Sequence, residues 1–159
     1  MGIDPGTAIT GYGVVEEDGS QMRPLTYGVI RTASDTPHVQ RLQKIYRSLT
    51  ALVEEWGPVE AAVEELFFSK NVRTAMSVGQ ARGVTLLAVA DAGLMVAEYT
   101  PTAIKQAVTG YGNAGKMQMQ EMTQLLLELD EIPHPDDAAD ALAVAICHLN
   151  TSRLAQLSE

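Results

Sequence analysis

The chain has 159 residues, 46% of them hydrophobic and 19% charged, enough to bury a core and unlike a disordered segment. No apolar run approaches the roughly 20 residues that span a bilayer, the start lacks a signal-peptide pattern, and one cysteine excludes an internal disulfide; a reducing cytoplasm is the expected compartment. The net charge of −9 argues against a nucleic-acid partner as a whole, but residues 66–118 hold five bases against two acids, so a polyanion would be met locally or those charges are simply solvated.

In chain order, MGIDPGT opens with a short strand ending at Asp4, turned at once by Pro5-Gly6. TGYGVVEED (10–18) and PLTYGVIRT (24–32) form a hairpin across Glu17-Asp18-Gly19-Ser20. Residues 38–56 change period: Leu42, Ile45, Leu49, Leu52, Val53 and Trp56 recur at three- and four-residue steps, an amphipathic helix stopped by Gly57-Pro58. VEAAVEELFF (59–68) is a fourth strand running into an aromatic loop. Residues 71–93 make a long helix whose Gly79 and Gly83 suggest close approach of another backbone. LMVAEYT (94–100) is a fifth strand. Pro101 starts a short helix to Val108, GYGNAG (110–115) is a loop, and helices follow at 116–129 and 136–149. The last ten or so residues read as a tail on a single domain spanning 1–159. The order βββαβαβ and then helices implies an α/β fold, a mixed sheet covered by helices.

Acids stand in three places. Asp4 ends a strand, although Asp before Pro-Gly is also ordinary turn chemistry. Glu64 and Glu65 follow the apolar Ala61-Ala62-Val63, and strand alternation does not decide between them. Asp137 and Asp140 share one helix face beside Ala141 and Val144, where carboxylates are expensive unless paired or metal-bound; first-turn acids are also common in helices. Adjacent Asp136 can cap the helix. Together the three places suit hard divalent cations and phosphodiester hydrolysis. His38, His134 and His148 are far apart and Cys147 reads as a buried helix residue, so zinc is not suggested.

The ordered set GIDPGTAITGYGVV, VEELFFSKN, SVGQARG and DAADALAVAICH, with IKQAVTGYGNAGK between, resembles the RuvC family of Holliday-junction resolvases over essentially the whole chain. The resemblance implies a ribonuclease H-like fold with a five-stranded mixed sheet, three antiparallel strands and then parallel ones. It also implies a homodimer, paired symmetric nicking of four-way junction DNA in recombination and repair, and partnership with the RuvAB branch-migration complex. Carried over, Asp4, Glu64, Asp137 and Asp140 are the catalytic acids holding two magnesium ions per subunit, with manganese able to substitute. Phe67 matches an aromatic used near the junction centre, with Phe68 beside it; both also fit plain core packing. Lys70, Arg73, Lys105 and Lys116 are candidate phosphate contacts, and the helix with Gly79 and Gly83 matches the dimer surface. Where family members carry several apolar residues before GIDPG, this chain has Met1 alone, so a short central strand is expected.

Rival readings remain at this point. GIDPGT also resembles the phosphate-binding opening of actin-like and sugar kinases, which are longer and carry a second phosphate loop. A non-catalytic nucleic-acid-binding dimer on the same fold is the other, and a related nuclease acting on a different structured nucleic acid is a third.

Overall fold

The structure is a computed structural model that describes residues 1–65 and 72–157. The strands form one sheet in the order β3-β2-β1-β4-β5, with β1 (Gly2–Asp4), β2 (Ile9–Asp18), β3 (Gln21–Arg31), β4 (Glu60–Glu64) and β5 (Met95–Tyr99). β1, β2 and β3 are antiparallel, whereas β4 runs parallel to β1 and β5 parallel to β4. The expected mixed sheet is therefore present, and β1 is three residues long at its centre. The hairpin turns over Gly19-Ser20, where Gly19 takes φ 63. β3 starts before Pro24, further upstream than the sequence suggests. Proline is accommodated because β3 is an edge strand and Pro24 faces the irregularity between Val14 and Val15.

The helices are α1 (His38–Trp56), α2 (Val72–Asp91), α3 (Pro101–Thr109), α4 (Lys116–Leu126) and α5 (Asp136–Leu157). α1 buries Ile45, Leu49 and Val53 and ends at left-handed Gly57, whose N–H donates to the Val53 carbonyl at 2.9 Å. α3 begins as its sequence dictates: Thr100 Oγ1 accepts from the Ala103 N–H at 3.1 Å, and Pro101 follows the cap. α5 continues to Leu157 in place of the tail expected near residue 150. Nothing in NTSRLAQL breaks a helix, and Arg153 ties this stretch to Glu17 and to the Gly19 carbonyl.

Strand alternation sends side chains to two cores. On one face Ile3, Ala61 and Val63 pack with Ile45, Leu49 and Val53 of α1 and Ala81, Ala88 and Val89 of α2. On the other, Ala62 packs with Leu142 and Ile146 of α5, Ile104 and Val108 of α3, and Met119 of α4. α5 is the central helix of this second face: from Ala138 to Cys147 every residue except Asp140 is buried. That exception is the acid singled out above.

Candidate active site

The pairings Gly2↔Ala62 and Ile3↔Val63 align β1 and β4 so that the next residue of each, Asp4 and Glu64, ends its strand on the same edge. Ile3 and Val63 belong to the α1/α2 core, so alternation turns Asp4 and Glu64 toward α5. Of the two adjacent glutamates, it is Glu64 that stands at the strand end beside Asp4. Glu65 has left the strand, and its N–H donates to the Tyr99 carbonyl at 2.8 Å.

α5 reaches these acids because β1 and β2 present glycines to it. A Cβ at Gly2 would overlap the Ala141 carbonyl, and one at Gly11 would overlap the carbonyl of Asp137. With no side chain in the way, the N-terminal turns of α5 lie against the strand backbones, placing Asp137 and Asp140 beside Asp4.

Electrostatics register the convergence. The Asp4 carboxyl is pushed up to about 8, first by burial, then by the charges of Glu64 and Asp140, by a hydrogen bond with Glu64, and by Asp137. In that bond the neutral Asp4 carboxyl donates to the Glu64 carboxylate. Burial also raises Glu64, against the opposing effects of the Asp4 hydrogen bond and Lys105. Asp140 rises through burial, helped by Asp137 and Asp136 and opposed by Lys116. Asp4, Glu64 and Asp140, with the Asp137 charge beside them, form an oxygen-only donor set whose crowding a divalent cation would relieve. Among the described residues no three His, Cys, Asp or Glu side chains already converge as the ligands of one ion. The donor chemistry fits a hard cation.

The basic candidates divide. Lys105 and Lys116 line a cavity of about 270 Å³ together with Glu64 and Asp140. Lys116 is anchored, its ammonium 2.6 Å from Asp136, which also accepts from Gln120 at 2.9 Å. Asp136 was expected to cap its own helix; its carboxylate is instead bound by α4. Arg73 is exposed and lines a separate cleft that reaches Asp137. Phe67, Phe68 and Lys70 lie outside the described residues.

Sequence reasoning missed Arg82 as a support. It ion-pairs with Glu98 of β5 while its Nε donates to the Glu64 carbonyl at 3.4 Å, bracing the strand end that carries the acid. An arginine within the apolar face of a helix was the available signal. His148 lies between Tyr99 Oη and Glu60 Oε2, 2.8 Å from each, and His38 bonds Gln80, so neither serves the acids. Cys147 is buried as expected.

The RuvC family model, described as crossover junction endodeoxyribonuclease RuvC, matches residues 1–148. The crossover junction endodeoxyribonuclease RuvC of Chloroflexus aggregans is 59% identical over 152 residues, covering 96% of this chain and 93% of that protein. Thermus thermophilus RuvC superposes with a TM-score of 0.88 at 37% identity, covering 97% of this chain and 95% of that one. The T. thermophilus protein in complex with Holliday junction substrate also gives 0.88, at 34% identity over 96% of this chain and 94% of that one. The sheet order and helix placement are those of the ribonuclease H-like fold, as the motifs implied.

Proposed function

The chain belongs to the RuvC family of crossover junction endodeoxyribonucleases, and from that premise we propose that Asp4, Glu64, Asp137 and Asp140 hold the divalent ions with which it nicks four-way DNA junctions. The observation carrying this reading is the raised Asp4 carboxyl, at about 8, wedged among three further acids on the α5 face. Two magnesium ions, or manganese in their place, would supply an activated water and neutralise charge at the scissile phosphate. The chain's own part is to present oxygens from two strand ends and one helix. Asp4 must give up its proton and its bond to Glu64 when the ions bind. Lys105, close enough to Glu64 to lower its pKa, offers a positive charge to the incoming phosphate, and Arg82 keeps the Glu64 backbone in place.

The working unit is a homodimer. Among the described residues nothing lies within 4 Å of a Cβ added at Gly79 or Gly83, which leaves room there for the close approach of another molecule's backbone. They share a stripe of α2 with Val72, Met76 and Leu87, which are 76%, 64% and 54% exposed. A second copy packed there places two acid clusters about a two-fold axis, the symmetry that paired nicks require. Partnership with RuvAB and a cytoplasmic setting complete the reading; no helix among the described residues is long and apolar enough to cross a membrane.

The kinase alternative is not favoured, since the family match spans the chain in which that alternative rests on GIDPGT alone. Cleavage with magnesium of four-way, three-way and linear duplex DNA tests the proposal. Paired nicks confined to the four-way substrate are expected, and equal cutting of linear duplex would sink it.

A further inference from the structure

Two openings flank the acids. One reaches Glu64 and Asp140 and is lined by Lys105 and Lys116; the other reaches Asp137 and lies between the turn after β1, α1 and the first turns of α2. Of the residues lining this second cleft, the sequence singles out only Arg73 and Asp137. Its wall is built from parts that meet only in the fold. Arg41 Nε donates to Thr32 Oγ1 at 2.8 Å, and the buried Thr32 hydroxyl donates to the Thr7 carbonyl at 2.5 Å. Arg41 is thus held by its Nε–H, and among the described residues the four N–H groups on its terminal nitrogens are left for another acceptor. Thr7 Oγ1 and Ser77 Oγ lie 2.7 Å apart, both lining the cleft. In such a pair one hydroxyl donates to the other, and the second keeps its own proton to donate elsewhere. Among the described residues no carboxylate pairs with Arg41 or Arg73, although Asp137 closes the inner end of the cleft.

Two guanidiniums and a spare hydroxyl proton in one concavity match an anion with several oxygens. The neighbouring acids, on a chain of net charge −9, would repel a nucleic-acid backbone unless cations took hold of it nearby. We propose that this cleft seats a phosphodiester group next to the scissile one, with Arg41 and Arg73 as its ligands and the Thr7–Ser77 pair as a hydroxyl donor. The cleaved strand is then gripped on both sides of the acids, by Lys105 and Lys116 at one opening and by the arginines at the other. This inference rests on the nuclease reading and adds a subsite to it.

Junction binding is measured with calcium in place of magnesium, for the wild-type dimer, Arg73→Ala and Arg41→Lys, using junctions with a single uncharged methylphosphonate at successive positions around the nick. Thermal melting of each variant checks that it is folded; Arg73 is exposed, and Arg41→Lys keeps the charge while losing the fork. The expected result for Arg73→Ala is about ten-fold weaker binding and a log–log salt slope smaller by about one. One methylphosphonate position beside the nick should weaken the wild type by a similar factor and leave Arg73→Ala unaffected. Wild-type binding by both variants, or losses from variant and methylphosphonate that multiply at every position, would overturn the subsite. A wild-type protein that does not nick junctions in magnesium would instead overturn the nuclease reading beneath it.

Discussion

The two faces of the sheet are built on opposite packing rules. Against α1 and α2 the sheet presents Ile3, Ala61 and Val63, and the space is filled by Ile45, Leu49, Val53 and Val89. Against α5 it presents Gly2, Gly11 and Gly13, and a helix lies almost on the strand backbones. The first face interdigitates side chains and has ordinary tolerance for loss of volume. The second has no slack, and the same closeness sets four acids around one another. The proposed site sits on the face whose distances are determined by backbone contact.

Cleavage should respond most to the acids themselves. Asp4→Asn is expected to lower junction cleavage by at least about 10²-fold. It should raise the metal-free Tm near neutral pH, because the amide is neutral without the proton that burial and the neighbouring acids force onto Asp4 in the fold; a lowered Tm would contradict that electrostatic picture. Gly11→Ala is the sharper test of the comparison. Its methyl group must push α5 away from β2, which should destabilise the fold by about 1–3 kcal/mol and also lower the cleavage rate of the molecules that remain folded. Leu49→Ala on the other face should be destabilising by about 2–5 kcal/mol yet leave the rate per folded molecule unchanged. Denaturant melts paired with single-turnover assays separate the two, and equal effects on rate would erase the distinction.

Smaller effects follow on the outer surface and with pH. Gly83→Leu, placed where no described atom lies within 4 Å of an added Cβ, should leave the monomer fold intact and shift sedimentation from dimer to monomer mass. Asp4 adds a pH dependence. Its folded carboxyl titrates at about 8 against an ordinary 3.8, so folding favours the protonated form. That stabilisation is complete below 3.8 and is lost as pH rises toward 8. The Tm of the wild type minus that of Asp4→Asn should therefore fall across this window without divalent ions. The smallest response is expected from Cys147, whose thiol is 1% exposed and pushed up to about 11 by burial. Native protein at pH 8 should resist maleimide until it is unfolded.

Much of this molecule is legible in its sequence, and the gaps have physical causes. α1 matches its predicted range because Leu42, Ile45, Leu49 and Val53 obey one period, and Pro101 and Gly110 bracket α3 as capping chemistry requires. The three acidic places were visible because carboxylates beside apolar runs are costly wherever they fall. Strand alternation could not tell Glu64 from Glu65, since their faces depend on the register of β4 against β1, and only the family resemblance pointed to Glu64. Lys116 looked like a free cation until α5 brought Asp136 to it. The sequence offered only a bare signal for Arg82, an arginine on an apolar helix face, and none for the cleft beneath Arg41, because each joins residues from separate elements.

The sequence by itself determined where the helices and strands form, which residue types could bind a hard cation, and which family motifs they compose. Periodicity, caps and turn residues act between near neighbours and need no tertiary partner. Only the tertiary structure decided that Asp4, Glu64, Asp137 and Asp140 share one face, that Asp4 holds a proton to about pH 8, and that two basic openings flank them. Those properties depend on burial and on charge separations between residues remote in the chain, and it is the glycine-lined approach of α5 that sets them.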